Sequence, residues 1–334
     1  MTLQETKDEH IHNTIPGTLV DSSRAGSPIA DVISDETIPA VPVEETVIEH
    51  QESGICFAIS NTCLALGAWS RGEGHKKARL PCQDRIGVRA IGYDVMIGAA
   101  CDGAGSAPRS DQGATLCVET VLNELESSVR VFFALNRDNA VPAPSFLDDV
   151  KHRVHRAVNA AIDQEAFIVG SRRREYATTL VAYVVTPAWL LILQVGDSFV
   201  VYRTSESPNQ YCLAGEPAKG EYANETTFIT DIDSCDAIQG VIVGSRPDFV
   251  AASTDGLATL MLNLSDWTPH DRVFEQLEKF SRNSITSSGG SEDVLVKTCD
   301  ELAAWLASPD VVKRTDDDKS LLLAVARIET GGSP

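Results

Sequence analysis

The residues of this chain whose types and spacing suit chemistry are acids, and they stand at the ends of apolar runs. "MIGAACDGAGS" runs into Asp102 and "FVAASTDGL" into Asp255. "LILQVGDSFV" holds Asp197 in a turn between two apolar runs. "KRTDDDKSLLLAV" sets Asp316, Asp317 and Asp318 just before one, and "LPCQDRIGV" sets Asp84 before another. An ionised carboxylate at the end of a buried strand is costly without a partner. Strands sharing one sandwich would bring these five ends to one edge. There, carboxylates a few ångströms apart raise one another's pKa until something neutralises them. Oxygen ligands without a His or Cys cluster suit hard cations, Mg²⁺ or Mn²⁺. Two such ions about 4 Å apart would acidify a bridging water and supply a hydroxide for in-line attack on phosphorus. For any one Asp taken alone, a turn or helix cap is the plainer explanation, since Asp-Gly makes turns routinely. Recurrence at strand ends weighs against it.

The elements that must carry these acids can be read from the hydrophobic pattern. "RIGVRAIGYDVMIGAAC" reads as two strands joined at "GYD". Residues 109 to 135 place Ala114, Cys117, Val118, Val121, Leu122 and Leu125 at helical spacing, with Ser110 or Asp111 as the cap. "FLDDVKHRVHRAVNAAIDQEA" reads as a second long helix. "ATTLVAYVVTPAWLLILQVGDSFVVYRT" is the strongest strand signal, and short strands follow through residue 254. "GLATLMLNL", "DRVFEQLEKFS" and "SEDVLVKTCDELAAWLAS" read as helices, and "DDDKSLLLAVARIE" as a closing strand. Strands and helices come in blocks, which favours an α+β fold of antiparallel sheets covered by helix pairs over a doubly wound parallel sheet.

Bulk properties narrow the function classes. The 334 residues carry a net charge of -20, which argues against nucleic acid or an anionic membrane surface as the main partner. No apolar run is long enough to span a bilayer, and "MTLQETKDEH" lacks the features of a secretory signal. The eight cysteines form no C-x-x-C pair and several lie in apolar runs, so they read as reduced and buried, and the location as cytoplasmic. Residues 1–54 hold eleven acids against Lys7 and Arg24 and no aromatic residue. They read as a disordered acidic tail, with residues 55–330 as the folded domain.

In order, "LPCQDRIGV", "AACDGAGSAPRSDQGA", "ATTLVAYVV", "LQVGDSFVVYR", "GEYANETTFIT", "AASTDGL" and "DDDKSLLLA" resemble metal-dependent protein phosphatases of the protein phosphatase 2C (PPM) type, in their bacterial branch. The resemblance spans residues 79 to 326. It implies a four-layer α-β-β-α sandwich, two mainly antiparallel sheets flanked by helix pairs. It also implies a centre of two Mg²⁺ or Mn²⁺ ions that hydrolyses phosphoserine and phosphothreonine on proteins. By resemblance Asp102 bridges the two ions, the Gly103 carbonyl ligates one, and Asp255 and Asp317 complete the other. Asp84 holds water bound to the metals. Arg79 grips the substrate phosphate, for which its planar fork is suited, with Lys76, Lys77 and Arg85 as nearby alternatives. Asp197 falls beside a third, weaker ion. The implied partners are a phosphorylated protein and a cognate Ser/Thr kinase.

Three positions depart from the eukaryotic members. Ala104 stands where many have a His proposed as general acid, Gln83 where a Glu often helps hold a metal through water, and Thr259 where an Asp can support the third metal. Ala104 and Gln83 motivate a rival reading, a catalytically weak phosphoprotein-binding scaffold. A phosphatase of small phosphoesters is a second rival. Two further signals read as surface features, His152 and His155 on one helix and the cationic "SRRREY", whereas by resemblance the polar "GEYANETTF" belongs to a loop near the catalytic edge, where Asn224 or Glu225 could contact substrate.

Overall fold

The computed structural model describes residues 50–92, 94–136, 140–217, 226–288 and 291–327. Asn224 and Glu225, and residues 1–49 of the acidic stretch, lie outside the described residues. The strands are β1 (Ser53–Ile59), β2 (Cys63–Ser70), β3 (Asp84–Ile91), β4 (Val95–Asp102), β5 (Leu180–Val185), β6 (Leu190–Val195), β7 (Phe199–Thr204), β8 (Cys212–Leu213), β9 (Gln239–Val243), β10 (Pro247–Ser253), β11 (Leu262–Asn263), β12 (Thr268–Pro269) and β13 (Lys319–Ala326). The helices are α1 (Glu73–Ala78), α2 (Ser110–Leu135), α3 (Pro144–Val169), α4 (Ala258–Met261), α5 (Asp271–Ser288), α6 (Glu292–Leu306) and α7 (Pro309–Val312). β1 begins at Ser53, so the strand takes up the last two residues of the stretch read as tail.

Two antiparallel sheets form the centre, one in the order β1-β2-β13-β10-β7-β8 and the other β3-β4-β5-β6-β9. Alternation along each strand sets the layers. On β4, Val95, Ile97, Ala99 and Cys101 pack with α2 and α3, whereas Met96 and Ala100 pack against the other sheet. On β13, Leu321, Leu323 and Val325 pack with α5 and α6, whereas Leu322 and Ala324 face inward between the sheets. The result is the four-layer α-β-β-α sandwich. Both faces of these strands are covered, which is why they read as near-continuous apolar runs.

Two local expectations are corrected. The first residue of α2 is Ser110, and neither it nor Asp111 caps the helix; the cap position is Arg109, with no side-chain cap bond. The helix start is instead pinned by backbone, Arg109 N donating to Glu175 O at 2.9 Å and Ser110 N to Ala107 O at 3.3 Å. "GLATLMLNL" is not one helix: α4 stops at Met261, and β11 pairs with β12 as a hairpin. Its polar turn favours this, with Asn263 Oδ1 accepting from Ser265 and Asp266 Oδ1 accepting from Thr268.

Candidate metal centre

β3 and β4 pair with Asp84 directly opposite Asp102, so one hairpin sets two acids side by side at the end of a sheet. The backbone of Asp102 is held from β5: Asp102 N donates to Thr179 Oγ1 at 3.1 Å, and its carbonyl accepts Thr179 N at 2.8 Å and Thr178 Oγ1 at 2.9 Å. Thr179 Oγ1 also lies 3.1 Å from Ser198 Oγ, which ties this corner to the Asp197 turn. That turn requires glycine. Gly196 has φ +92, and a Cβ there would come within 2.7 Å of the Thr179 side chain. From the other sheet, β10 leads into Asp255 at the start of a 3-10 turn. Gly256 follows because a Cβ would meet Asp318 O at 1.9 Å.

These devices bring Asp102, Asp197 and Asp255 together: a carboxylate oxygen from each lies within 4.8 Å of the others. Asp197 thus belongs to the inner group. Asp317 stands next to this group and contributes to its field, raising the pKa of both Asp102 and Asp255. Asp84 is buried and accepts a 2.7 Å hydrogen bond from Thr254 Oγ1. Gly103 is fixed by a bridge to Thr178 and by close packing on Ser110.

The electrostatics follow from burial among like charges. Burial, then the charges of Asp84, Asp255, Asp317 and Asp197, push the Asp102 carboxyl well above the usual carboxylate range. Burial and the charges of Asp197 and Asp317 raise Asp255 to about 7. Burial foremost, with Asp318 next among neighbouring charges, raises Asp84. Burial also raises Asp317. Asp197 Oδ2 accepts from Thr226 at 3.0 Å, but its buried Oδ1 has no partner among the described residues. Hard oxygen donors, mutual repulsion and an orphaned carboxylate oxygen together fit one or more divalent cations.

Two cations near this edge are already engaged. Arg85 donates to Asp84 O at 2.6 Å and to Cys82 O at 2.8 Å, and lies over the Trp69 ring. Lys76 pairs with Glu73 and Glu52. Arg79 ends α1 in a left-handed turn, φ 56, and its guanidinium is exposed with no ion pair or hydrogen bond among the described residues. Gln83 and Thr259 sit differently, the first buried beside Asp84 and the second exposed on α4. Ala104 N donates to Ala177 O at 2.9 Å.

Sequence reasoning passed over His75 and Lys319, and gave Asp318 no partner. Asp318 is 2% exposed and accepts from Gly72 N at 2.6 Å, Gln83 N at 2.6 Å and His75 Nδ1 at 2.7 Å. Burial pushes its carboxyl up, but the His75 bond and the two amide bonds outweigh this and hold it below its ordinary value. Lys319 is fully buried, its Nζ donating to Asp317 O at 2.8 Å, and burial lowers its pKa. The signal was a basic residue placed between three acids and the apolar run of β13. His152 and His155 have separate partners, Cys235 Sγ at 3.1 Å and Asp231 O at 3.1 Å. In "SRRREY", Arg173 pairs with Asp163 while Arg172 and Arg174 are exposed.

A family profile described as Protein phosphatase 2C matches residues 71–307. Serine/threonine-protein phosphatase 3 of Escherichia coli (strain K12) is 31% identical over 258 residues, which is 76% of this chain and 94% of that protein. Two solved structures have TM-scores of 0.50. The crystal structure of a bacterial serine phosphatase is 15% identical and covered in full, over 84% of this chain. That of serine-threonine phosphatase 2C from Toxoplasma gondii is 12% identical and 99% covered, over 82% of this chain. At these identities the two structures bear on the fold alone.

Proposed function

The chain belongs to the protein phosphatase 2C family, and from that premise we propose how its acidic edge hydrolyses phosphoserine and phosphothreonine on proteins. It is a metal-dependent protein phosphatase. In our reading the catalytic domain is residues 55–330 and the metals are two Mg²⁺ or Mn²⁺ ions. Asp102, opposite Asp84 on the hairpin, would hold both. The Gly103 carbonyl, Asp255 and Asp317 would complete the ligands, and Asp197 would support a third, weaker ion. The observation that supports this most is the group Asp102, Asp197 and Asp255, carboxylates within 4.8 Å of one another.

Bound divalent cations would offset this charge, acidify the attacking water and polarise the phosphoryl group. The chain's own residues do the rest. Arg79 binds two phosphate oxygens through its fork and offsets the dianion's charge. Asp84, oriented by Thr254, accepts a hydrogen bond from water at the centre and so fixes its direction. Burial and the neighbouring acids raise the affinity of Asp102 and Asp255 for protons, so a cation binding there would compete with protons. Ala104 offers no proton to the leaving serine or threonine oxygen, so that proton comes from solvent in the site.

The phosphorylated partner is a protein, and a cognate Ser/Thr kinase would complete the cycle. No described helix is long and apolar enough to cross a membrane, and we place the protein in the cytoplasm. The test is turnover of a phosphothreonine peptide and of a sugar phosphate by the full chain, with Mn²⁺, with Mg²⁺ and with chelator. Metal-dependent turnover favouring the peptide is expected. A strong preference for the sugar phosphate, or peptide turnover that persists in chelator, would overturn the reading.

A further inference from the structure

Two segments meet at the edge of the metal centre, residues 71–84 and residues 316–319, and the contact between them is unusually dense. Gly74 N donates to Asp316 O at 2.8 Å. A Cβ on Gly72 would stand 2.3 Å from the Asp317 carbonyl carbon, so the two backbones touch. At the middle is the Asp318 carboxylate. Oδ1 accepts from Gly72 N, while Oδ2 accepts from both Gln83 N and His75 Nδ1. Gly72 precedes α1, His75 lies within it, and Gln83 precedes Asp84. One buried carboxylate therefore holds both ends of the loop that carries Arg79, and His75 is its sole side-chain donor among the described residues. His75 also acts through its backbone: its carbonyl accepts Leu80 N at 2.9 Å and Arg71 Nη2 at 3.2 Å, and it helps close the left-handed turn at Arg79.

We infer that His75 is a positioning residue: through Asp318 it fixes the 72–83 loop, and with it Arg79, relative to Asp317 and Asp84. The inference rests on the phosphatase reading only for its kinetic consequence; the clasp itself is a statement about the chain. Its physical basis is that Arg79 has an exposed guanidinium, unpaired among the described residues, at the C-terminal end of a six-residue helix with no buried side chain. Such an element has no core to hold it, so its anchor decides where the guanidinium stands. Displacement of a positioning group by about 1 Å can cost on the order of a hundredfold in rate.

The test compares three substitutions at His75 in the full chain. Asparagine places an amide nitrogen close to the position of Nδ1, whereas glutamine places it nearer that of Nε2. His75→Ala is expected to raise KM for a phosphothreonine peptide about tenfold, with a smaller change in kcat. In the metal-free protein it is expected to speed hydrogen exchange at the Gly72 and Gln83 amides. His75→Asn is expected to restore both, and His75→Gln neither. Since His75 acts through Arg79, adding His75→Ala to Arg79→Ala is expected to raise KM by less than about twofold further. Equal exchange in wild type and His75→Ala would overturn the clasp. Equal restoration by His75→Gln would overturn the role of Nδ1. A full tenfold additional effect in the Arg79→Ala background would overturn the link to Arg79. Should the wild type hydrolyse no phosphopeptide, the phosphatase reading fails, and the exchange measurement still decides the clasp.

Discussion

Two groups of buried carboxylates lie on this fold, and their surroundings are opposite. On α5, Glu278 accepts from Arg203 Nε at 3.0 Å, Arg282 Nε at 2.8 Å and Tyr211 Oη at 2.8 Å. Burial pushes its carboxyl up, yet these three partners outweigh it and hold Glu278 below its ordinary value. At the sheet edge Asp102 and Asp255 are raised, because burial is met there by further acids rather than by cations. Glu278 is a finished structural site. The Asp102 edge gathers acids whose neighbours are further acids, and it is there that we propose the cations bind.

The largest effect that sharpens this contrast is catalytic. Asp102→Ala is expected to lower metal-dependent peptide turnover by about a thousandfold or more, while leaving the metal-free protein as stable as wild type in a urea melt. Glu278→Ala is expected to do the reverse. It removes the carboxylate shared by Arg203, Arg282 and Tyr211, and should cost about 3 kcal/mol of stability by urea melt, with kcat/KM of the folded fraction unchanged.

The two groups should also differ in sign with pH. Asp255 binds a proton in the fold up to about pH 7 that an unfolded aspartate releases near pH 4. Its contribution to metal-free stability is therefore most favourable at low pH and falls as pH rises across that window. Glu278, held below its unfolded value, contributes above the ordinary glutamate pKa and loses that contribution as pH falls. Thermal melts in chelator between pH 5 and pH 8 should thus show Tm falling, with Asp255→Asn flattening the slope. The smallest effect is expected for Lys297→Ala, which removes an exposed ion pair with Glu301 at 4.0 Å. It should change stability by less than about 0.5 kcal/mol in the same melt.

Much of this arrangement was legible in the order of residues. Apolar runs ending on Asp102 and Asp255 gave the strand ends, and helical spacing from Ala114 to Leu125 gave the face of α2 that is buried. The long helices and the hairpin at "GYD" followed from periodicity and turn chemistry. Less visible were features set by long-range contact. Nothing near Asp197 in sequence tells that its turn closes on Thr179 and Asp102; that depends on β5–β6 pairing. The His75–Asp318 contact joins residues 243 apart, and a lone His followed by two lysines reads locally as surface. The α2 start misled because backbone from Glu175 satisfies what a cap would otherwise satisfy.

The most direct test of the central claim is Mn²⁺ binding by the full chain at pH 8, followed by electron paramagnetic resonance of the free ion. Wild type and Glu278→Ala are expected to bind alike, and Asp102→Ala to lose binding. Equal binding by Asp102→Ala and wild type would contradict the claim that the unpaired acids at this edge hold the metals.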